Sequence, residues 1–278
     1  MDRLKSLFIS AWMSLLMVGA ARSAWAIYQD PNAVAWYWAL LCMLTPLSFF
    51  AWVFIANVAR TQTASKAVLG VTLLTLLGAA LSPVILEALA WILGAGVIGT
   101  ALYEWWYSSF GGRHSDILSV GQTLPNLEFI NDAGTQLKPH DLNKPLLMIF
   151  YRGNWCPLCM AQIKEIAGQY RALAEKGVEI LLISPQSQGH TADLAQRFDA
   201  PMRFLVDTDN AMAKRLGIAA PNGLPMGMEV LGYDSDTVMP TVIMTDATGK
   251  ILFADLTDNY RLRPEPETFL KVFSQAGI

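Results

Sequence analysis

Three apolar blocks occupy the first 107 residues, at 7–21, 33–59 and 67–103, and the third carries one charge, Glu87, in 37 residues. A helix crosses a bilayer with roughly 20 apolar residues, and the third block as one straight helix would run ~55 Å, so it must fold back on itself. Ser82-Pro83 or Glu87 marks the turn. This predicts an all-α transmembrane region over residues 1–107 with four spans, near 7–26, 34–58, 67–82 and 86–107. Three spans remain if one limb of the hairpin is re-entrant. Ala90/Gly94 and Gly96/Thr100, at four-residue spacing, predict close helix packing.

Charge gives the orientation. Arg3 and Lys5 precede the first block and Arg60 and Lys66 lie between the second and third, which places those segments in the cytoplasm. Arg22 alone opposes this. Trp25, Tyr28, Trp36, Tyr37 and Trp38 supply an outer aromatic belt, and Trp105-Trp106-Tyr107 anchors the last span. Four spans put the rest of the chain in the cytoplasm, and three put it in the periplasm. The expected setting is a multi-pass cell membrane of the bacterial inner-membrane type, with lipid as a partner. A competing reading takes residues 1–26 as a cleaved signal peptide ending at Ala24-Trp25-Ala26. Glu87 reads as a wetted interfacial residue beside the turn, and no paired intramembrane charges suggest a transporter.

The chain changes character after Tyr107. Up to Arg113 it has six Lys/Arg against four Asp/Glu, and afterwards fourteen against nineteen. An acidic globular half without a basic patch argues against nucleic acid as a partner. Residues 108–119 are polar and glycine-containing, as a linker would be, and a domain follows over 120–278. Strand-like runs at 146–151, 178–184, 204–206, 241–245 and 251–256 alternate with helical patterns, which implies an α/β sheet flanked by helices.

The chemistry sits in Tyr151-Arg-Gly-Asn-Trp-Cys-Pro-Leu-Cys159, where an apolar strand feeds a helix whose inner face is Ile163, Ile166, Tyr170 and Leu173, with Gly177 as its stop. Pro157 suits the first helical position and leaves Cys156 as N-cap, so free N–H groups and the positive end of the dipole favour its thiolate. Cys156 is therefore the expected nucleophile, and Cys159, one turn on, resolves a mixed disulfide or sulfenic acid into a Cys156–Cys159 disulfide. A zinc site would need four ligands, but the only other cysteine, Cys42, lies in an apolar block and the histidines 114, 140 and 190 are scattered. Inert buried thiols are the remaining alternative. No metal or organic cofactor is expected.

Trp155-Cys-Pro-Leu-Cys159 resembles the active site of the thioredoxin superfamily, and Met239-Pro240-Thr241 resembles its cis-proline loop, which would abut the disulfide. The wider layout is similar to the alkyl hydroperoxide reductase/thiol-specific antioxidant branch, the peroxiredoxin-like redoxins. Val120-Gly-Gln-Thr-Leu-Pro125, Asp132-Ala-Gly134, Phe150-Tyr-Arg-Gly-Asn-Trp-Cys-Pro157, Ile183-Ser-Pro185 and Leu205-Val-Asp207 carry that likeness. It implies a thioredoxin-like α/β fold after the membrane region, Trp155, Pro157, Arg152, Met239 and Pro240 as supporting residues, and a thioredoxin-type thiol donor. Gly153 and Ile149 stand where a peroxiredoxin has Thr/Ser and Pro, and Phe150 where a thioredoxin has its buried aspartate, so the proton acceptor is unassigned.

The expected function is a membrane-anchored, thiol-dependent oxidoreductase that reduces hydroperoxides or disulfides through this pair. Alternatives are a thioredoxin-like disulfide oxidoreductase without peroxidase activity and a non-catalytic redox sensor or assembly factor. The Met-rich stretch 221–232 reads as loop packing, or as an adaptable apolar cover for the redox centre. Pro264-Glu-Pro-Glu267 reads as a helix start without chemistry.

Overall fold

The computed structural model describes residues 3–83 and 85–278. Four helices, α1 (Arg3–Gln29), α2 (Val34–Ala56), α3 (Gln62–Ala80) and α4 (Leu86–Tyr107), are each long and apolar enough to cross a membrane. The chain reverses between Ala80 and Leu86, around Ser82-Pro83. Arg22 pairs with Glu87 at 2.7 Å, so the lone basic residue at that end of the bundle has a carboxylate partner.

Small residues set how closely α4 packs. A Cβ at Gly96 would collide with Cys42 Sγ on α2, and one at Gly99 with the Trp12 indole on α1. Gly94, by contrast, faces open space, so the close contacts fall on Gly96 and Gly99 rather than on the Ala90/Gly94 pair. The helix is π-wound over Ile92–Ile98 and Leu102–Tyr107. Such widening leaves carbonyls off the regular ladder, and the Trp12 indole N–H donates to Ala95 O at 2.8 Å.

The second half is built on a seven-stranded mixed sheet in the order β2-β1-β5-β4-β3-β8-β9. Its strands are β1 (Phe129–Asn131), β2 (Gln136–Leu137), β3 (Leu146–Phe150), β4 (Glu179–Ser184), β5 (Arg203–Val206), β8 (Thr241–Thr245) and β9 (Ile251–Asp255). A separate two-stranded ribbon joins β6 (Ala219–Ala220) to β7 (Thr237–Val238). Strands β3, β4 and β5 are parallel, linked by crossover helices α5 (Pro157–Glu175) and α6 (Gln188–Ala195), while β8 and β9 run antiparallel at one side. Short α7 (Ala211–Arg215) and C-terminal α8 (Pro266–Gln275) complete the helices. All five residues of β3 and of β8 are buried, because helices cover both faces of the central strands. At ~1.5–3 kcal/mol for each large apolar side chain, these strands fix where β3 ends and α5 begins. This is a thioredoxin-like α/β fold behind an all-α apolar region.

The two halves are packed together. Arg261 enters the bundle and meets Glu104 at 2.6 Å, with both side chains almost wholly buried. It also donates to Ser65 Oγ and to Glu104 O. Arg60 pairs with Glu165 at 2.7 Å, and Tyr260 and Tyr103 join hydroxyls at 2.8 Å. Residues 108–119 are no free tether: Phe110 N donates to Asp258 O, and Arg113 donates to Pro240 O and Thr241 Oγ1.

Candidate active site

Strand β3 ends at Phe150, and the next six residues carry the chain to the start of α5. Pro157 occupies the first turn, and Cys156 is the N-cap in extended backbone (φ −90°, ψ 106°). Gly153 makes the approach feasible. Its φ of +146° disfavours a side chain, and a Cβ there would lie 2.7 Å from the Trp155 indole nitrogen. A hydroxyl residue at this position, as in the peroxiredoxin pattern, would meet the same indole contact. Asn154 is locked against Gln186 in both directions, N–H to Oε1 at 2.9 Å and Nε2 to Oδ1 at 3.0 Å.

The two thiols are free and 2.7 Å apart, sulfur to sulfur. Cys156 is 2% exposed and Cys159 fully buried. Arg263, itself buried, donates from Nη2 to Cys159 at 3.5 Å and from Nη1 to Gln162 Oε1 at 2.8 Å. Burial disfavours either thiolate. At Cys159 it is outweighed by the hydrogen bond with Cys156, then by Arg263 and the Arg152 backbone, so its pKa is lowered to about 5. At Cys156 burial, followed by the bond to Cys159, pushes the thiol well up. The helix-end argument assigns the charge to Cys156. Instead the bond between the sulfurs, then Arg263 and Arg152, lower Cys159, while Cys156 is pushed up.

Arg152, read from sequence as a nearby positive charge or a solvated loop residue, is 4% exposed. Its guanidinium stacks on Trp155, 4.5 Å from the ring centroid, and it donates to Gly223 O. It also bonds the Tyr107 phenol. Pro157 and Trp155 both stand at the mouth of the site. Met239 and Pro240 do not. The Met239–Pro240 peptide is trans, since no described residue has a cis bond. Met239 N–H pairs with Ile218 O, so the chain runs extended from β7 into β8 and fits a trans proline. Met239 instead lines a separate cavity with Phe110 and Arg113.

In front of Cys156 lies a cavity of about 330 Å3 between the two halves. One wall is Ile9 and Met13 of α1, Phe50, Val53 and Phe54 of α2, and Tyr103 and Tyr107 of α4. Arg152, Trp155, Leu158 and Tyr260 form the other wall, and Pro225 and Met228 close one side. Those last two belong to the 221–232 loop, which is tied to α1 by Ser6 Oγ on Leu224 O, Ser10 Oγ on Met226 O, and Met226 N–H on Ser6 O. The Met-rich stretch is therefore a cover beside the redox centre.

Sequence reading missed Arg263, Gln162, Tyr260 and the α4 tyrosines. The one available signal was Asn259-Tyr-Arg-Leu-Arg263, two arginines directly ahead of a segment read as an ordinary helix start.

A close dithiol at the start of a helix that follows the central strand, in this sheet, places the second half in the thioredoxin superfamily. Residues 120–254 match the model of the AhpC/TSA family, and this part of the chain is an AhpC/TSA family domain. Peroxiredoxin Bcp of Bacillus subtilis (strain 168) is 26% identical over 123 residues, 44% of this chain and 78% of that protein. Thiol-disulfide oxidoreductase ResA of the same organism is 23% identical over 155 residues, 56% of this chain and 74% of that protein. Among solved structures, Peroxidoxin BcpB from Mycobacterium tuberculosis is 19% identical and aligns over 57% of this chain and 97% of its own, with a TM-score of 0.47.

Proposed function

We propose that the chain is a membrane-anchored, thiol-dependent peroxidase in which Cys156 and Cys159 cycle between dithiol and disulfide. The observation that carries this is the paired sulfurs, 2.7 Å apart, with Cys156 facing a cavity and Cys159 behind it against Arg263. Cys156 attacks the outer oxygen of a hydroperoxide while its proton passes to the Cys159 thiolate, which thus acts as the base missing from position 150. The O–O bond breaks, the departing alkoxide takes that proton from Cys159 and leaves as alcohol, and Cys156 becomes a sulfenic acid. Cys159, a thiolate again, attacks that sulfur, the S–O bond breaks, and the hydroxide leaves as water with a proton from solvent. A two-electron donor restores the dithiol, and the family likeness implies a thiol. Arg152, beside Cys156, supplies charge for the departing oxygen.

Disulfide exchange is the second reading, favoured by the two-residue spacing of the pair and by the likeness to ResA. Burial of both sulfurs counts against it, because a protein disulfide has to reach Cys156 in line. The four apolar helices would span a cell membrane, with the redox domain on the side of Arg3, Lys5, Arg60 and Lys66, the cytoplasm by the positive-inside rule. A reporter fused after Ile278 that is active only outside the cell would overturn that orientation.

The deciding experiment is stopped-flow oxidation of the reduced full chain in nanodiscs by hydrogen peroxide and by a small disulfide, followed through tryptophan fluorescence. Fast peroxide oxidation, lost in Cys156→Ser, supports the peroxidase. A slow peroxide reaction with rapid disulfide exchange supports the second reading. Indifference to both oxidants would leave a sensor.

A further inference from the structure

The loop that covers the cavity has a second, outward side. Among the described residues after Tyr107, the exposed large apolar side chains are Ile117, Val120, Met226, Val230 and Leu231. Three of these five fall in one short stretch, 226–231, where Val230 is 86% exposed and Leu231 59%. They lie on or next to the 3-10 turn Met228–Leu231, which is bounded by Gly227 and Gly232 at left-handed φ. Exposed apolar side chains scattered singly need no explanation, whereas a cluster on one turn marks a surface that something covers.

The neighbour of this turn is α1. Ser6 Oγ donates to Leu224 O, Ser10 Oγ donates to Met226 O at 2.7 Å, and the Met226 N–H donates to Ser6 O at 3.3 Å. From Lys5 to Ser10 the helix advances ~7.5 Å, so the loop runs beside the first turns of the apolar helix and not beyond its end. Leu4 and Leu7 on those turns are exposed, and so is Trp105 of α4. Trp106, the next residue, packs against Phe8 and under Lys5, which puts this tryptophan pair at the same end of the bundle. Tryptophan and basic residues at a helix end suit the layer between lipid head groups and acyl chains.

We propose that the 226–231 turn is a lipid-contact surface of the redox domain, seated in that layer beside α1, and that this contact holds Pro225 and Met228 over the cavity in front of Cys156. It rests on the reading of α1 to α4 as membrane spans. Lipid is favoured over a protein occupant because the turn is hydrogen-bonded to α1 at Ser6 and Ser10, so the medium around α1 at that height also meets the turn. Unbranched and aliphatic side chains such as Met226, Val230 and Leu231 enter acyl chains without needing a shaped partner. The turn carries one carboxylate, Glu229, which accepts the Gly227 N–H at 2.7 Å. That charge keeps the turn at the head-group boundary and out of the acyl core.

The consequence reaches the redox centre. Pro225 and Met228 line the cavity with Cys156, and Met228 opens the same turn that bears Val230 and Leu231. A surface loop with few buried apolar contacts opens readily, and burying its outer side chains in lipid opposes that opening.

The test uses the full chain in nanodiscs of phosphatidylethanolamine and phosphatidylglycerol. Nitroxide labels are attached one at a time through Val230→Cys, Leu231→Cys, Leu74→Cys and Val120→Cys, in a chain carrying Cys156→Ser and Cys159→Ser; Cys42 stays because it is buried. Paramagnetic resonance compares relaxation by oxygen, which partitions into lipid, with relaxation by a water-soluble nickel chelate. Leu74, exposed in the middle of α3, is the lipid reference, and Val120, exposed on the redox domain, is the water reference. Labels at 230 and 231 should favour oxygen, as the label at 74 does. If they follow position 120 while 74 stays in lipid, the proposal falls and the spans stand. If 74 also behaves as in water, the spanning reading fails and the proposal fails with it. Shielding of 230 and 231 from both reagents would mean that protein covers the turn, and the lipid assignment falls. The hold on the cover is read in the chain with all its cysteines, reduced, by the rate at which iodoacetamide alkylates Cys156. Val230→Asp combined with Leu231→Asp should raise that rate roughly tenfold in nanodiscs by freeing the loop. An unchanged rate in the natively folded double variant would overturn the link between lipid contact and the site. Neither readout uses peroxide, so loss of the peroxidase reading leaves both in place.

Discussion

Replacing Arg263 with Gln removes the cation from Cys159 and leaves a neutral side chain beside Gln162. At 3.5 Å a unit charge pair at an effective dielectric of ~20 is worth about 5 kcal/mol. Arg152 remains nearby and water can enter, so half of that, ~2.5 kcal/mol, is a reasonable loss, equal to ~2 pKa units. The Cys159 thiolate, at about 5 in the native protein, should then titrate near about 7. The assay is thiolate absorbance near 240 nm in the reduced full chain, with the oxidised chain subtracted. At pH ~5 the thiolate fraction should drop from about half to about one-hundredth, a ~50-fold loss, while at pH ~8 the two proteins should nearly agree. Arg263→Lys should fall between them. An unchanged midpoint in a natively folded Arg263→Gln protein would refute the assignment of the charge to Cys159.

The same thiolate makes stability depend on pH. Its folded pKa is below the unfolded value, so the unfolded state binds the extra proton between the two, and the reduced chain should melt at progressively lower temperature as pH falls from about 9 towards 5. The disulfide form should lack this slope, which a pair of pH-dependent melting series will check. Gly153→Ala puts a Cβ against Trp155 at a left-handed φ and should cost ~1–3 kcal/mol in denaturant unfolding. Glu104→Gln leaves Arg261 buried beside a neutral group and should cost ~3–5 kcal/mol, seen as a lower melting temperature in detergent. Protease sensitivity within residues 108–119 should rise in the same variant, because that contact holds the two halves together.

Much of this molecule is legible in its sequence because the relevant forces are local. A run of some 20 apolar residues forms a helix in lipid whatever its neighbours do, since no other conformation satisfies its backbone there. An apolar strand followed by Cys-Pro-x-x-type punctuation fixes a strand-to-helix junction, because proline lacks an N–H and presets its own φ. Thus Cys156 as N-cap and Pro157 in the first turn follow from the order of residues. The charge state of the sulfurs does not. It depends on the contact between the two sulfurs and then on Arg263, 104 residues beyond Cys159 in the chain, which local spacing does not connect to α5. The Arg261–Glu104 pair, the trans Met239–Pro240 bond and the cavity shared by α1, α2, α4 and Trp155 are likewise products of packing between distant segments. Local propensity places the two cysteines one turn apart, whereas only tertiary packing determines which charges meet their sulfurs and which face of the site meets the apolar helices.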